Sequence, residues 1–237
     1  MVLRPAVIAR RLKISTSTLR KYEDLGMLPR VLRSTNGYRI YTEEHMAYFS
    51  CIREMLHGFN LSQIAKILRL IMEKQIDEAL WTVNRAQAEL QKDKYTCGQI
   101  RQRFLLKKRP AELKEYTIDE ISKATGIIPS TIRYWDNIGL ISASRCAANN
   151  YRTFTQKHMD EILMIHALKL SLLAQGEKYA VEHIHKEINR FNFDDTDRIS
   201  SIVAGIESYL TALNKAQIRS ISALYKLCTQ VEQNRYE

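Results

Sequence analysis

Thr16, Ser17, Arg20 and Lys21 fall within six residues of one another. On a helix that spacing puts two hydroxyls, a guanidinium and an ammonium on one side. Such a set can donate to phosphate oxygens and to base edges in a DNA groove. Tyr22 follows directly, and an aromatic there can pack on a core while its hydroxyl still donates to a phosphate. Further on, Tyr38 and Arg39 could clamp flanking phosphates. A second set repeats the pattern with Ser130, Arg133, Tyr134 and Trp135, then Tyr151 and Arg152. Plainer roles compete: a solvated helix arginine for Arg20 and Arg133, and packing for the loop aromatics, a role that suits Tyr41 and Phe154 best. Lys107-Lys108-Arg109 reads as a solvated linker more readily than as a DNA contact.

Other chemistry finds little support. The four cysteines, Cys51, Cys97, Cys146 and Cys228, are scattered without a C-x-x-C pair, so neither a disulfide frame nor a zinc clip is expected. His183 and His185 are two apart on a predicted helix and point to different faces, which disfavours a paired ligand site. Gly-rich phosphate loops, nucleophile elbows and metal-hydrolase signatures are absent. The expectation is a protein with no catalytic residues, no metal and no cofactor.

The elements that must position these side chains are mostly helices. Only 8 Gly and 4 Pro occur in 237 residues, too few turn residues for an all-β chain. Pro5 opens a short helix over 5–12. Ser15 is placed to cap a second helix, and Pro129 takes the matching first position in the later set. Gly26 and Gly139 then stop those helices. Two short helices around a tight turn form a helix-turn-helix pattern. Asn36-Gly37 before Tyr38-Arg39-Ile40-Tyr41 is a hairpin signal and predicts a small wing. The later copy has Asn150 where Gly37 stands, and Asn is the next-best residue for a positive φ. Thr42 and Thr155 are placed to cap a third helix. Long apolar stripes follow each set: Ile76, Leu80, Val83, Leu90, Cys97 and Phe104 within 73–109, and Ile199, Ile202, Ile206, Leu210, Leu213, Leu224, Leu227 and Val231 within 196–235.

The two sets are copies of one unit. With a constant shift of 113, residues 8–52 meet 121–165 with 13 identities, among them Ser17, Thr18, Arg20, Gly26, Tyr38, Arg39, Thr42 and His45. A period above 100 residues means a duplicated domain and not a solenoid. Net charge is +10, and it sits almost wholly in the first half: about +11 over residues 1–114 and about −1 over 115–237. A polyanion is the expected partner, met mainly by the first copy. No stretch reaches the roughly 18–20 apolar residues of a membrane span, and the first residues have no apolar signal core, so a cytoplasmic, nucleoid-associated protein is expected.

Thr18-Leu19-Arg20-Lys21-Tyr22-Glu23-Asp24-Leu25-Gly26-Met27-Leu28-Pro29, followed by Asn36-Gly37-Tyr38-Arg39-Ile40-Tyr41-Thr42-Glu43-Glu44, resembles the winged-helix DNA-binding domain of the MerR family of bacterial transcription regulators. Thr131-Ile132-Arg133-Tyr134-Trp135-Asp136-Asn137-Ile138-Gly139-Leu140, with Asn150-Tyr151-Arg152-Thr153-Phe154, resembles it too. The first copy departs at Lys21, where the family usually has an aromatic, and the second lacks the wing glycine.

The resemblance implies a mainly α fold with two winged helix-turn-helix domains, each followed by a long coiled-coil helix. The expected boundaries are 1–72 and 73–109, a linker at 110–115, then 116–193 and 194–237. It also implies a sequence-specific transcription regulator bound to double-stranded DNA, with RNA polymerase as a second partner; the separate effector-binding domain found in many family members is not expected here, because nothing follows the second long stripe. In the family an antiparallel coiled coil joins the two DNA-binding domains of a dimer. Here one chain holds two of each part, so an intramolecular pseudo-dimer is expected over a helix-swapped homodimer, on an operator of two unlike half-sites. The competing readings are an architectural protein that bends or anchors DNA, and a mobile-element factor that bends DNA for recombination.

Overall fold

A computed structural model describes residues 3–106, 114–145, 150–177 and 180–236. The chain divides into two compact units, Met1–Glu89 with Ala212–Glu237, and Leu90–Thr211. The stretch Lys107-Lys108-Arg109, most of the 110–115 linker, Cys146 and Asn149 lie outside the described residues.

The first unit begins with α1 (Pro5–Leu12) and α2 (Thr16–Asp24), packed on each other. Proline at the first position suits α1, because its missing N–H has no intrahelical partner there. Lys13 turns the chain at φ 52, and the Ser15 hydroxyl accepts from the Thr18 N–H at 3.1 Å to start α2. A two-stranded wing follows, β1 (Leu32–Arg33) antiparallel to β2 (Arg39–Ile40), with Leu32 opposite Ile40. Leu3 bridges to Tyr41 and ties the chain start to the wing's end. The third helix, α3 (Glu43–Met55), is capped by Thr42, and His45 completes the box by accepting from the Thr42 N–H at 3.1 Å. Then comes α4 (Leu61–Met72), ended by Glu73 and by Lys74 at φ 60. Leu19, Tyr22, Tyr41, Phe49, Ile52 and Leu68 are buried together.

That core is closed by two further segments. The first long helix, α5, spans Ile76–Ile100, and the last, α10, spans Thr196–Gln233. Ala79 and Val83 of α5 and Leu224, Leu227 and Cys228 of α10 join the same cluster. Ser220 donates to the Glu54 carbonyl at 2.9 Å, and the Gln217 amide donates to the Gly58 carbonyl at 3.1 Å. Gln217 also accepts from Gln87. At Gly58 an added Cβ would lie 2.8 Å from the Gln217 backbone, so only glycine permits this approach.

The second unit repeats the plan with α6 (Ile118–Thr125), α7 (Pro129–Asn137), β3 (Ser144–Arg145), β4 (Arg152–Thr153), α8 (Gln156–Ala174) and α9 (Val181–Asn189). Thr155 and His158 form the capping box that Thr42 and His45 form in the first unit. Within this unit the α5 stripe continues through the buried Leu90 and Cys97 to a π-helical turn, Arg101–Leu105, and α10 contributes Ile199, Val203, Ile206 and Leu210. Lys94 and Arg101 both reach Glu207, each at 3.7 Å. Arg103, buried on the π-helical turn, pairs with Asp160 and donates to the Gln156 carbonyl at 3.0 Å, fixing the start of α8.

The mainly α class with two helix-turn-helix units holds. The first long helix begins at Ile76 and not at residue 73, because Lys74 turns the chain first. The compact units divide each long helix instead of leaving it as a body of its own. A lone helix has no core, so each end of the stripe is buried on the nearest domain. Among the described residues no helix is long and apolar enough to cross a membrane.

Candidate nucleic-acid interface

In the first unit α2 presents Thr16, Ser17, Arg20 and Lys21, all exposed, while Leu19 and Tyr22 turn inward. The helical period thus separates a polar face from a buried one within nine residues. Ser17 is partly engaged, its hydroxyl 2.6 Å from that of Ser15. Between α1, α2 and the wing lies a groove of about 740 Å³, along which Arg4, Thr16, Arg20, Tyr38 and Arg39 are placed. Arg4, at the start of α1, was not among the sequence-predicted residues. Its signal was the basic residue just before Pro5. The first turn of α1 has no acidic residue and no side-chain cap; Pro5 carries no N–H, and the Val7 and Ile8 amides donate to the Arg4 carbonyl at 2.9 and 3.3 Å.

Arg39 does not stand free in this groove. Its Nε donates to Glu23 Oε2 of α2 at 2.6 Å, and both side chains are 22% exposed. That hydrogen bond raises the Arg39 pKa, against the opposing effect of its burial. The wing is latched to α2, and the latch offsets part of the arginine's charge. Arg33 sits 4.0 Å from the same carboxylate and donates to the Gly37 carbonyl at 3.4 Å, which braces the turn. Tyr38 stands out at 74% exposure, whereas Tyr41 is fully buried, edge-on to Phe49 at 5.3 Å.

The second unit reproduces the latch. Arg152 Nε donates to Asp136 Oδ2 at 2.6 Å, and Arg152 Nη2 donates to Asn137 Oδ1 at 3.0 Å. Arg145 braces its turn by donating to the Asn150 carbonyl at 3.2 Å. Asn150 takes φ 55 where Gly37 takes φ 78, the left-handed substitution expected from the sequence. The first wing strand corresponds with a shift of 112 and the second with 113, since Ser144 opposes Thr153 as Leu32 opposes Ile40. An ungapped overlay therefore misplaces Arg145, which is the counterpart of Arg33.

On α7, Ser130, Arg133 and Tyr134 are exposed and Trp135 is buried, while Tyr151 and Phe154 repeat the exposed and buried places of Tyr38 and Tyr41. Tyr22 and Trp135 are thus core residues at 3% and 2% exposure, the packing half of the dual role expected for them. The surroundings differ from the first unit. Thr117 and Glu120 form a capping box on α6, and Asp119 adds a second acid to its first turn. Hydrogen bonds from the Thr117 N–H and hydroxyl hold Glu120 below the usual carboxylate range.

The thiols of Cys51, Cys97 and Cys228 are buried, and burial pushes all three up, Cys228 to about 11, so they are poor thiolates at neutral pH. Among the described residues no cluster of three or more His, Cys, Asp or Glu could hold a metal.

Sequence comparison gives this geometry a context. The pattern described as MerR HTH family regulatory protein matches residues 3–71 and 116–171, more than half of the chain. The chain is 25% identical over 111 residues to the HTH-type transcriptional regulator CueR of Escherichia coli, covering 47% of this chain and 82% of that protein. It is 35% identical over 77 residues to the HTH-type transcriptional regulator slr0701 of Synechocystis, 32% of this chain and 56% of the other. It is 32% identical over 72 residues to the mercuric resistance operon regulatory protein of Bacillus cereus, 30% and 54% of the respective chains. No solved structure matches.

Proposed function

The chain belongs to the MerR family of helix-turn-helix regulatory proteins, and we propose that it regulates transcription in the bacterial cytoplasm by binding double-stranded DNA sequence-specifically. The observation that carries this is the exposed face of α2. It carries two hydroxyls and two cations, of which Thr16 and Arg20 line an open groove, and a latched wing stands beside it. In this reading Thr16, Ser17 and Lys21 meet base edges, and Arg20, Arg4 and Tyr38 meet phosphates. Arg39 and Arg152 position the wings. Selection of bound sequences from random DNA by the full chain tests the reading. A motif of two unlike half-sites, with a few discrete footprints, is expected. No enrichment overturns it, and broad coverage favours the architectural alternative.

We also propose that the working form is a single-chain pseudo-dimer. Supporting this, each unit buries a segment of both α5 and α10 from the same chain. A covalent link makes such pairing intramolecular, with effective concentrations of order millimolar. Light scattering with and without DNA should return the mass of one chain, 27.6 kDa. A stable particle of twice that mass overturns it.

A further inference from the structure

We propose that the second copy reads thymine methyl groups through Ile128 and Tyr134, whereas the first copy reads its half-site by hydrogen bonds. The inference rests on the DNA-binding reading above and names the base chemistry of one half of the site.

Two positions separate the recognition helices. At the N-cap, α2 has Ser15, whose hydroxyl accepts from the Thr18 N–H at 3.1 Å. The N-cap of α7 is Ile128, which makes no side-chain cap bond. Isoleucine is among the poorest N-cap residues, and proline at the next position only limits the damage. A residue that weakens its own helix and also holds an apolar side chain 52% exposed in water serves neither folding nor solubility. Six residues on, α7 has Tyr134, 49% exposed, where α2 has Lys21.

A recognition helix offers its N-terminal residues to base edges in the major groove. There a guanine or adenine presents acceptors and donors, and only thymine presents an apolar group, its C5 methyl. Ile128 can neither donate nor accept, so the methyl is the one base feature it complements. The Tyr134 ring offers a second apolar surface on the same helix. The start of α6 points the same way: Asp119 and Glu120 stand where the first copy has Ala6 and Val7, behind a cap formed by Thr117 where the first has Arg4. With less phosphate attraction available, the second copy relies more on apolar contact.

The test uses the full chain and its selected operator, with deoxyuridine in place of thymidine in one half-site at a time. That change removes only the methyl. In the half contacted by α7, affinity should fall about fourfold per contacted methyl, the ratio expected for withdrawing one buried carbon. The same change in the other half should have little effect. Ile128→Ser combined with Tyr134→Lys, which gives α7 both residues of the first copy, should abolish the discrimination. The first change restores the hydroxyl cap seen at Ser15, so a melting curve at or above that of the parent confirms a sound fold. Equal binding of both operators by the parent chain, discrimination that survives when Ile128→Ser and Tyr134→Lys are combined, or a footprint covering only the first half would each overturn the proposal. A selection that enriches nothing would instead remove the DNA-binding reading beneath it.

Discussion

The two units share a plan and differ in what they expose. Both latch a wing arginine to an acid on the recognition helix at 2.6 Å, both cap the third helix with a Thr–His box, and both bury the same aromatic positions. Outside that shared frame they diverge. The first unit opens the start of α1 beside Arg4 and carries Arg20 and Lys21 together. The second closes the start of α6 with its own acids and has Tyr134 where the first has Lys21. Duplication preserved the latch and several outward-facing residues, Ser17, Arg20 and Tyr38 recurring as Ser130, Arg133 and Tyr151, and changed Lys21 and the first turn of the opening helix. The latch belongs to architecture, and the charge belongs to the partner.

The largest effect should separate the two arginines. Arg20→Ala is expected to cost roughly 1–3 kcal/mol of DNA affinity and to flatten the salt dependence by about 0.9 unit. Arg133→Ala should cost less than half as much. Anisotropy titrations at several salt concentrations decide this, and equal losses would erase the distinction between the copies. A stability comparison comes next. Gly58→Ala forces a Cβ to within 2.8 Å of the Gln217 backbone and should destabilise the first unit by about 2 kcal/mol. Gly98→Ala meets nothing within 4 Å in α5 and should stabilise by up to about 1 kcal/mol. Denaturant melts of the two variants should move in opposite directions.

Smaller effects probe the latch and the capping histidine. A double-mutant cycle on Glu23 and Arg39 should give a coupling of about 0.5–1 kcal/mol, since water screens a pair that is 22% exposed on each side. Because Glu23 already offsets Arg39, Arg39→Ala should flatten the salt slope by less than Arg20→Ala does. A slope change as large as that of Arg20→Ala would assign Arg39 to the phosphate backbone. Burial lowers the His45 pKa, so the folded state disfavours the proton. Stability should therefore fall as pH drops below about 6.5, the range in which the unfolded histidine takes up its proton. His45→Gln should lose that acid-side slope, and a slope left intact would place its origin elsewhere.

Local chemistry made much of this legible. Pro5, Ser15, Pro129, Thr42 and Thr155 announce helix starts by the N–H the prolines lack and the N–H the hydroxyls can accept, and each stands where its type requires. The left-handed Asn150 could be read from one residue. Features set by distant partners could not. The first wing strand is misplaced by one in an ungapped overlay because the second wing has one more residue between its strands. The hydrogen bond from Arg39 to Glu23, sixteen residues earlier, could not be read from either residue's local sequence. The α10 stripe was visible, but nothing local says that Leu224 and Leu227 finish the core begun by Leu3 and Ile8.

That last arrangement bears on how the protein is made. The first unit draws its closing segment from Ala212–Glu237, more than a hundred residues after α4 ends. As synthesis proceeds from the N-terminus, α1 to α4 emerge early but stay unsealed where Gln217, Leu224 and Leu227 will dock. The second unit needs nothing beyond Thr211, so its segments are all available sooner. The half that is translated first is the last to complete. During that interval its open apolar flank is where a nascent-chain chaperone has the most to protect.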